Sequence, residues 1–222
     1  NFSSSKSFEN ISLKYLLNIS IPMLLTTSML YIIQWTDTLV LGYYETTTNI
    51  GIYNVAIKMS MASSIILFSI NSISAPRYSE LFFSNRLDEF ISTVKFSSKL
   101  IFWLSCPIIL FIFLNSESLL RVFGYEFVNA EFSLRVLLIG QFFNILCGSV
   151  GYILMMTGNE KILRNIIISS ALINIILNII LIPQFGILGA AIASALSMII
   201  WNITALIYIY NKYNFSTINI LK

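Results

Sequence analysis

The sequence predicts an all-α integral membrane protein of six transmembrane helices, on three observations. Of its 222 residues, 57% are hydrophobic and only 10% charged, whereas a soluble domain carries roughly a quarter charged residues. The apolar residues gather in runs of about 20 or more, the length that crosses a hydrocarbon layer of roughly 30 Å. Short polar breaks separate the runs: ETTTN, SNRLDE, the acidic NSES to NAE stretch, TGNE and PQFG.

The first span is expected over residues 14–43, ending at ETTTN. The second, 49–79, is about 31 residues and would reach roughly 46 Å at 1.5 Å per residue, so its inner end is expected to project beyond the bilayer. Pro76 followed by Arg77 marks either a bend near that exit or a simple helix end, because proline removes a backbone donor and clashes with the preceding turn. The third span, 88–114, follows the charged SNRLDE segment. The stretch from Glu117 to Phe132 then mixes apolar and charged residues and reads as an interfacial segment or an ordinary packed loop. The remaining spans are expected at 131–157, 161–182 and 186–210, making one membrane lobe with no soluble domain between helices.

With Asn1 inside, ten of the thirteen basic residues lie in the cytoplasm or at inner helix ends: Lys6, Lys14, Arg77, Arg86, Lys95, Lys99, Lys161, Arg164, Lys212 and Lys222. Only Arg121 and Arg135 lie outside, and Lys58 falls within a span. This asymmetry predicts cytoplasmic termini for the segment. The chain begins at Asn1 without a methionine or a signal-peptide pattern and reads as a fragment of a longer protein.

Several function classes are excluded by what the residues can do. There is no histidine, and Cys106 and Cys147 both fall within apolar runs, so neither a disulfide framework nor a Cys/His metal site is expected. The net charge of +3 is small and its basic residues are spread over several loops, which fits membrane topology and not a nucleic-acid partner. No paired-aspartate metal motif and no Gly-rich phosphate loop appears, so neither catalysis, ATP use nor a cofactor is expected. Transport is the reading favoured.

The informative residues are polar ones inside spans. Ser20, Thr27, Gln34 and Asp37 share one face of the first helix. Ser60, Ser64, Asn71 and Ser74 mark the second; Gln141, Asn144, Gly148 and Gly151 the fourth; Ser170, Asn174 and Asn178 the fifth; and Ser194, Ser197, Trp201, Thr204 and Tyr208 the sixth. Such faces either build a hydrated cavity or let helices pack closely. Close packing is the preferred reading for GILGAAIASALS, Gly186 to Ser197. Asp37 and Lys58 reach similar depth on antiparallel neighbouring helices, and a mid-membrane charge costs roughly 2.5 to 3.5 kcal/mol on insertion scales. Three readings stay open: a salt bridge fastening two helices, a cavity-lining pair that rearranges during transport, or independent interfacial placement. The substrate or coupling candidates are Asp37, Lys58, Gln34, Asn71, Gln141, Asn144, Asn174 and Asn178.

Asp37-x-x-x-Leu41-Gly42 followed by Gly51-Ile-Tyr-Asn-Val-Ala-x-Lys58 resembles the polysaccharide flippase branch of the multidrug/oligosaccharidyl-lipid/polysaccharide exporter superfamily. Further matches follow in order: Ala75 to Ser79, Val122-Phe123-Gly124, Gly140-Gln141 with Asn144, Leu154 to Gly158 ahead of Lys161, and Ile182 to Ala191. The resemblance implies half of a MATE-like transporter of twelve or more helices, built as two lobes around a cavity. This chain is similar to the C-terminal lobe, so the N-terminal lobe of the same protein would be its partner. The resemblance further implies alternating access that flips a lipid-linked oligosaccharide across the cytoplasmic membrane for surface polysaccharide biosynthesis, in contact with membrane lipids. Lys58 could then meet a pyrophosphate-linked head, while Asp37 could hold Lys58 or couple an ion. An ion-coupled multidrug or organic-cation antiporter of the same fold is the alternative, and a non-transporting membrane scaffold is the third reading.

Overall fold

The computed structural model describes residues 13–218, and among them every regular element is helical. In order these are α1 (Leu13–Tyr44), α2 (Thr47–Ala62), α3 (Ile65–Phe83), α4 (Leu87–Leu114), α5 (Ser116–Arg121), a 3-10 helix (Tyr125–Ala130), α6 (Glu131–Cys147), α7 (Val150–Met156), α8 (Glu160–Phe185) and α9 (Ile187–Tyr213). Four segments are long and apolar enough to cross a bilayer: Leu87–Leu114, Tyr125–Cys147, Glu160–Phe185 and Ile187–Tyr213. The bent pair α2 and α3 makes a fifth. The 32-residue α1 would extend about 48 Å. The chain is a multi-pass membrane protein.

Two expected spans are broken. The second bends by 47° between Ala62 and Ile65, and Pro76 lies inside α3 without ending it, so the bend is not where the proline suggested. Serine chemistry accounts for its position. The Ser60 hydroxyl donates to the Ile57 carbonyl (2.8 Å) and the Ser63 hydroxyl to the Ser60 carbonyl (2.6 Å). Such back-bonding competes with the helical ladder and bends it. The fourth expected span stops at Gly148, whose φ of +69° no ordinary side chain favours. A Cβ there would also lie 2.7 Å from the Ser98 hydroxyl. The Cys147 carbonyl freed at this break accepts the Thr217 hydroxyl at 2.7 Å, so the segment after α9 satisfies it.

The stretch from Glu117 to Phe132 folds into α5, the 3-10 helix and the start of α6. The Ala-rich start of α9 packs as expected from its small residues. Gly189, Ala190, Ala191, Ala193 and Ala195 are buried, and a Cβ on Gly140 of α6 would meet Ala195 Cα at 3.0 Å. α9 therefore lies against both α6 and α8, while α1 lies along α8 and α3 along α4. Two apolar cores form at opposite ends of the bundle, one around Leu41, Tyr53, Leu134 and Leu138, the other around Tyr78, Phe90, Ile153 and Phe215. The polar faces meet between them.

Candidate functional site

Asp37 projects from α1 with only 2% of its surface exposed. Three neutral groups from three other helices donate to its carboxylate. Tyr53 of α2 reaches Oδ2 through its hydroxyl (2.7 Å), Asn178 of α8 reaches Oδ1 through Nδ2 (2.7 Å), and the Ser194 hydroxyl of α9 also binds Oδ2. Asn178 additionally donates to Asn174 Oδ1 at 3.1 Å. Every donor here is a hydroxyl or an amide, so among the described residues the carboxylate is solvated by dipoles with no cation in its shell.

Of the three readings left open for Asp37 and Lys58, neither the salt bridge nor the shared cavity-lining pair is found. Lys58 is exposed and takes part in none of the ion pairs among the described residues. The reason is helical phase. Five residues separate Tyr53 from Lys58, which turns the two about 140° apart around α2, so the helix that aims Tyr53 at Asp37 aims Lys58 elsewhere. Equal depth was a poor guide without azimuth.

A cavity of about 540 Å³ opens beside Asp37. Five of the sequence candidates line it: Gln34, Asp37, Asn71, Gln141 and Asn144. Asn174 and Asn178 are buried outside its lining, behind Asp37, and Lys58 does not border it. Ser64, at the break between α2 and α3, donates to Gln141 Oε1 at 2.6 Å, and Asn144 Nδ2 reaches the same oxygen at 3.4 Å. The bend in the second span thus joins α2 and α3 to α6 across the cavity wall. The ring of Trp201 packs against α7 at Gly151, where a Cβ would sit in ordinary contact, 3.6 Å from Cζ3. Among the described residues the lining includes one acid and no basic residue, so the cavity suits neutral or cationic groups better than anions.

The roles of Tyr53 and Ser194 at Asp37 were missed in the sequence, although Tyr53 lay within a quoted motif and Ser194 within a stripe. A Tyr in an apolar run is usually packing, and only its helical phase relative to Asp37 would have singled it out. No group of three or more His, Cys, Asp or Glu gathers among the described residues.

A lobe of membrane helices with a largely apolar cavity dotted with carboxamides, and with an intramembrane carboxylate that has no cationic partner among the described residues, has the anatomy of a transporter half. Comparison with known proteins gives the family: residues 22–180 match the MatE model, and the chain belongs to that family. Among curated proteins it is 27% identical over 168 residues to the probable low-salt glycan biosynthesis flippase Agl15 of Haloferax volcanii, covering 75% of this chain and 36% of the relative. It is 28% identical over 178 residues to the probable flippase AglR of the same organism, covering 78% and 37%. The chain therefore spans little more than a third of the length of these relatives. Among solved structures, a multidrug resistance MATE family transporter of the MOP superfamily in an outward-facing conformation superimposes with a TM-score of 0.75 at 21% identity, over 92% of this chain and 46% of that one. A MOP superfamily transporter from Pyrococcus furiosus gives 0.63 at 20% identity, over 90% and 44%. The fold is that of one MATE-like lobe.

Proposed function

We propose that the chain is the C-terminal lobe of a flippase that moves a lipid-linked oligosaccharide across the cytoplasmic membrane by alternating access, without hydrolysing ATP. Its six spans then run at about 14–43, 49–79, 88–114, 131–157, 161–182 and 186–210, with both ends of the segment cytoplasmic. The N-terminal lobe of the same protein completes the cavity. The observation that carries this reading is the cavity itself: a polar sugar cannot enter hydrocarbon unaided, and Gln34, Asn71, Gln141 and Asn144 set carboxamides into a cavity lining that is otherwise largely apolar. The names of the two haloarchaeal relatives supply the direction of the argument toward glycans.

Asp37 is the coupling group in this proposal. A buried carboxylate without a basic partner is neutralised at least cost by a proton or a monovalent cation, and a single acid among neutral oxygens does not offer the charge that tight divalent sites use. Lys58, exposed on α2, remains the candidate contact for the phosphate of the lipid carrier.

One observation favours the antiporter as a second reading: among the described residues the cavity contains an acid and an indole but no cation, as an organic cation would prefer. A leaflet-protection assay on the whole protein in liposomes separates the two. Protein-dependent exposure of a labelled lipid-linked oligosaccharide to an impermeant reagent supports flipping. Ion-gradient-driven efflux of a cationic dye, with no change in lipid protection, overturns it.

A further inference from the structure

Asn71 is fully buried on α3, yet neither its Oδ1 nor its Nδ2 has a hydrogen-bond partner. Removing a carboxamide from water without replacing its hydrogen bonds costs about 1 to 3 kcal/mol, and orphaned groups of this kind call for a specific explanation. Packing does not supply one, because a leucine would fill similar space without the penalty. Asn71 borders the cavity of about 540 Å³, together with Gln141, Asn144 and Trp201.

We propose that this cavity is a sugar subsite that takes one uncharged, hydroxyl-rich ring of a glycan, with Asn71 as the group that reads it. The proposal rests on the flippase reading and assigns the part of the cargo that this lobe holds. Three observations point to this chemistry. First, among the described residues the lining has no lysine or arginine and a single acid, which gives an anionic phosphate no partner from them. Second, a carboxamide offers a donor and an acceptor side by side, which matches two neighbouring hydroxyls, while an organic cation has no use for the acceptor and donor together. Gln141 adds to this: Ser64 and Asn144 both bind its Oε1, which leaves its NH2 group available to a ligand. Third, Trp201, Tyr152 and Met155 give the same cavity apolar surface against which the C–H face of a sugar ring packs. The volume lies in the range of about 300 to 1,000 Å³ usual for small-ligand sites. Both polar atoms of Asn71 lie just inside the wall, so in this proposal its carboxamide turns into the cavity when a ligand enters.

The test is saturation-transfer NMR and competition binding on the whole protein in nanodiscs. The probes are methyl α-mannoside, methyl β-glucoside and N-acetylglucosamine, with tetraphenylphosphonium and inorganic pyrophosphate as the charged alternatives. The expected result is saturable binding of at least one neutral sugar, about tenfold weaker in Asn71→Leu, while the unfolding temperature of that variant stays the same or rises because the orphan is gone. Gln141→Ala, which touches a different helix, should weaken the same sugar. Binding of tetraphenylphosphonium with no sugar binding overturns the proposal, as does an Asn71→Leu variant that unfolds at lower temperature yet binds sugar normally. If sugar binding fails while the leaflet-protection assay remains positive, the subsite alone is wrong. If sugar binding holds while that assay is negative, the subsite stands and the flippase reading falls.

Discussion

Tyr53, not Lys58, is the α2 residue that meets Asp37: its hydroxyl lies 2.7 Å from Oδ2. A double-mutant cycle measures what this relationship is worth. Tyr53→Phe should destabilise the protein by about 1 to 3 kcal/mol, as expected when a buried acceptor loses one of its donors. Crossed with Asp37→Asn, it should show a coupling of about 0.5 kcal/mol or more. The Asp37–Lys58 cycle should give none, with Lys58→Ala shifting stability by less than about 0.5 kcal/mol. Thermal unfolding in one detergent checks all of these, and a strong Asp37–Lys58 coupling would restore the salt bridge.

The two breaks in the spans carry the next prediction. Gly148→Ala forces a Cβ into a left-handed position and against the Ser98 hydroxyl, at 2.7 Å. Strain at such a position costs about 1 to 3 kcal/mol. Ser98→Gly should recover only the steric part, since the backbone preference is untouched. Thr217→Val should add a separate loss of about 1 to 3 kcal/mol by leaving the Cys147 carbonyl unsatisfied. If Gly148→Ala melts like the parent protein, the backbone at the α6–α7 break relaxes freely and this account of it fails.

Much of the architecture was legible because hydrophobic length and polar breaks are one-dimensional signals. The break at Gly186, the small-residue packing of α9 and the polar character of the Gln34, Asp37, Asn71, Gln141 and Asn144 faces could all be read from spacing, although Pro183 to Phe185 continue α8 and do not form a turn. What was not legible depended on three-dimensional phase or on competition between hydrogen bonds. Serines recur in every span, so nothing singled out Ser63 as the bend, whereas Pro76, the conspicuous breaker, sits inside a continuous helix. Asp37 announced itself by charge. Its partners Tyr53 and Ser194 did not, because a phenol and a hydroxyl in an apolar run serve packing equally well. Asn174 and Asn178 were found by their helical spacing, but the sequence could not distinguish a cavity wall from support behind Asp37.

A polar hub at one end of the bundle yields a third prediction. Asn159 Nδ2 donates to the Thr157 hydroxyl (2.8 Å) and to the Tyr213 hydroxyl (2.8 Å), while Lys212 donates to its Oδ1 and lies 5.5 to 5.7 Å from the Tyr213 and Tyr208 rings. These contacts hold the α7–α8 turn against the end of α9. Asn159→Ala should loosen that turn, so that trypsin cuts after the exposed Lys161 several-fold faster in the folded protein. Lys212→Met, which keeps an unbranched stem but loses the charge, should produce a smaller effect. Equal cleavage of all three proteins would mean that the hub does not hold the turn.

Orientation can be read with an impermeant maleimide, because the two ends of the bundle carry exposed residues far from the core. Glu126 lies in the 3-10 helix between α5 and α6, and Lys161 at the start of α8; both are exposed. If the basic asymmetry sets the topology, Glu126→Cys labels in intact cells and Lys161→Cys labels only after the membrane is permeabilised. The native cysteines give the background, and it should be low, since Cys147 is buried and Cys106 half-buried in α4. The reverse pattern would put Arg77, Arg86, Lys161 and Arg164 outside. It would also turn the proposed direction of sugar movement around relative to this lobe, so that Lys58 and Asp37 would meet the cargo from the opposite leaflet.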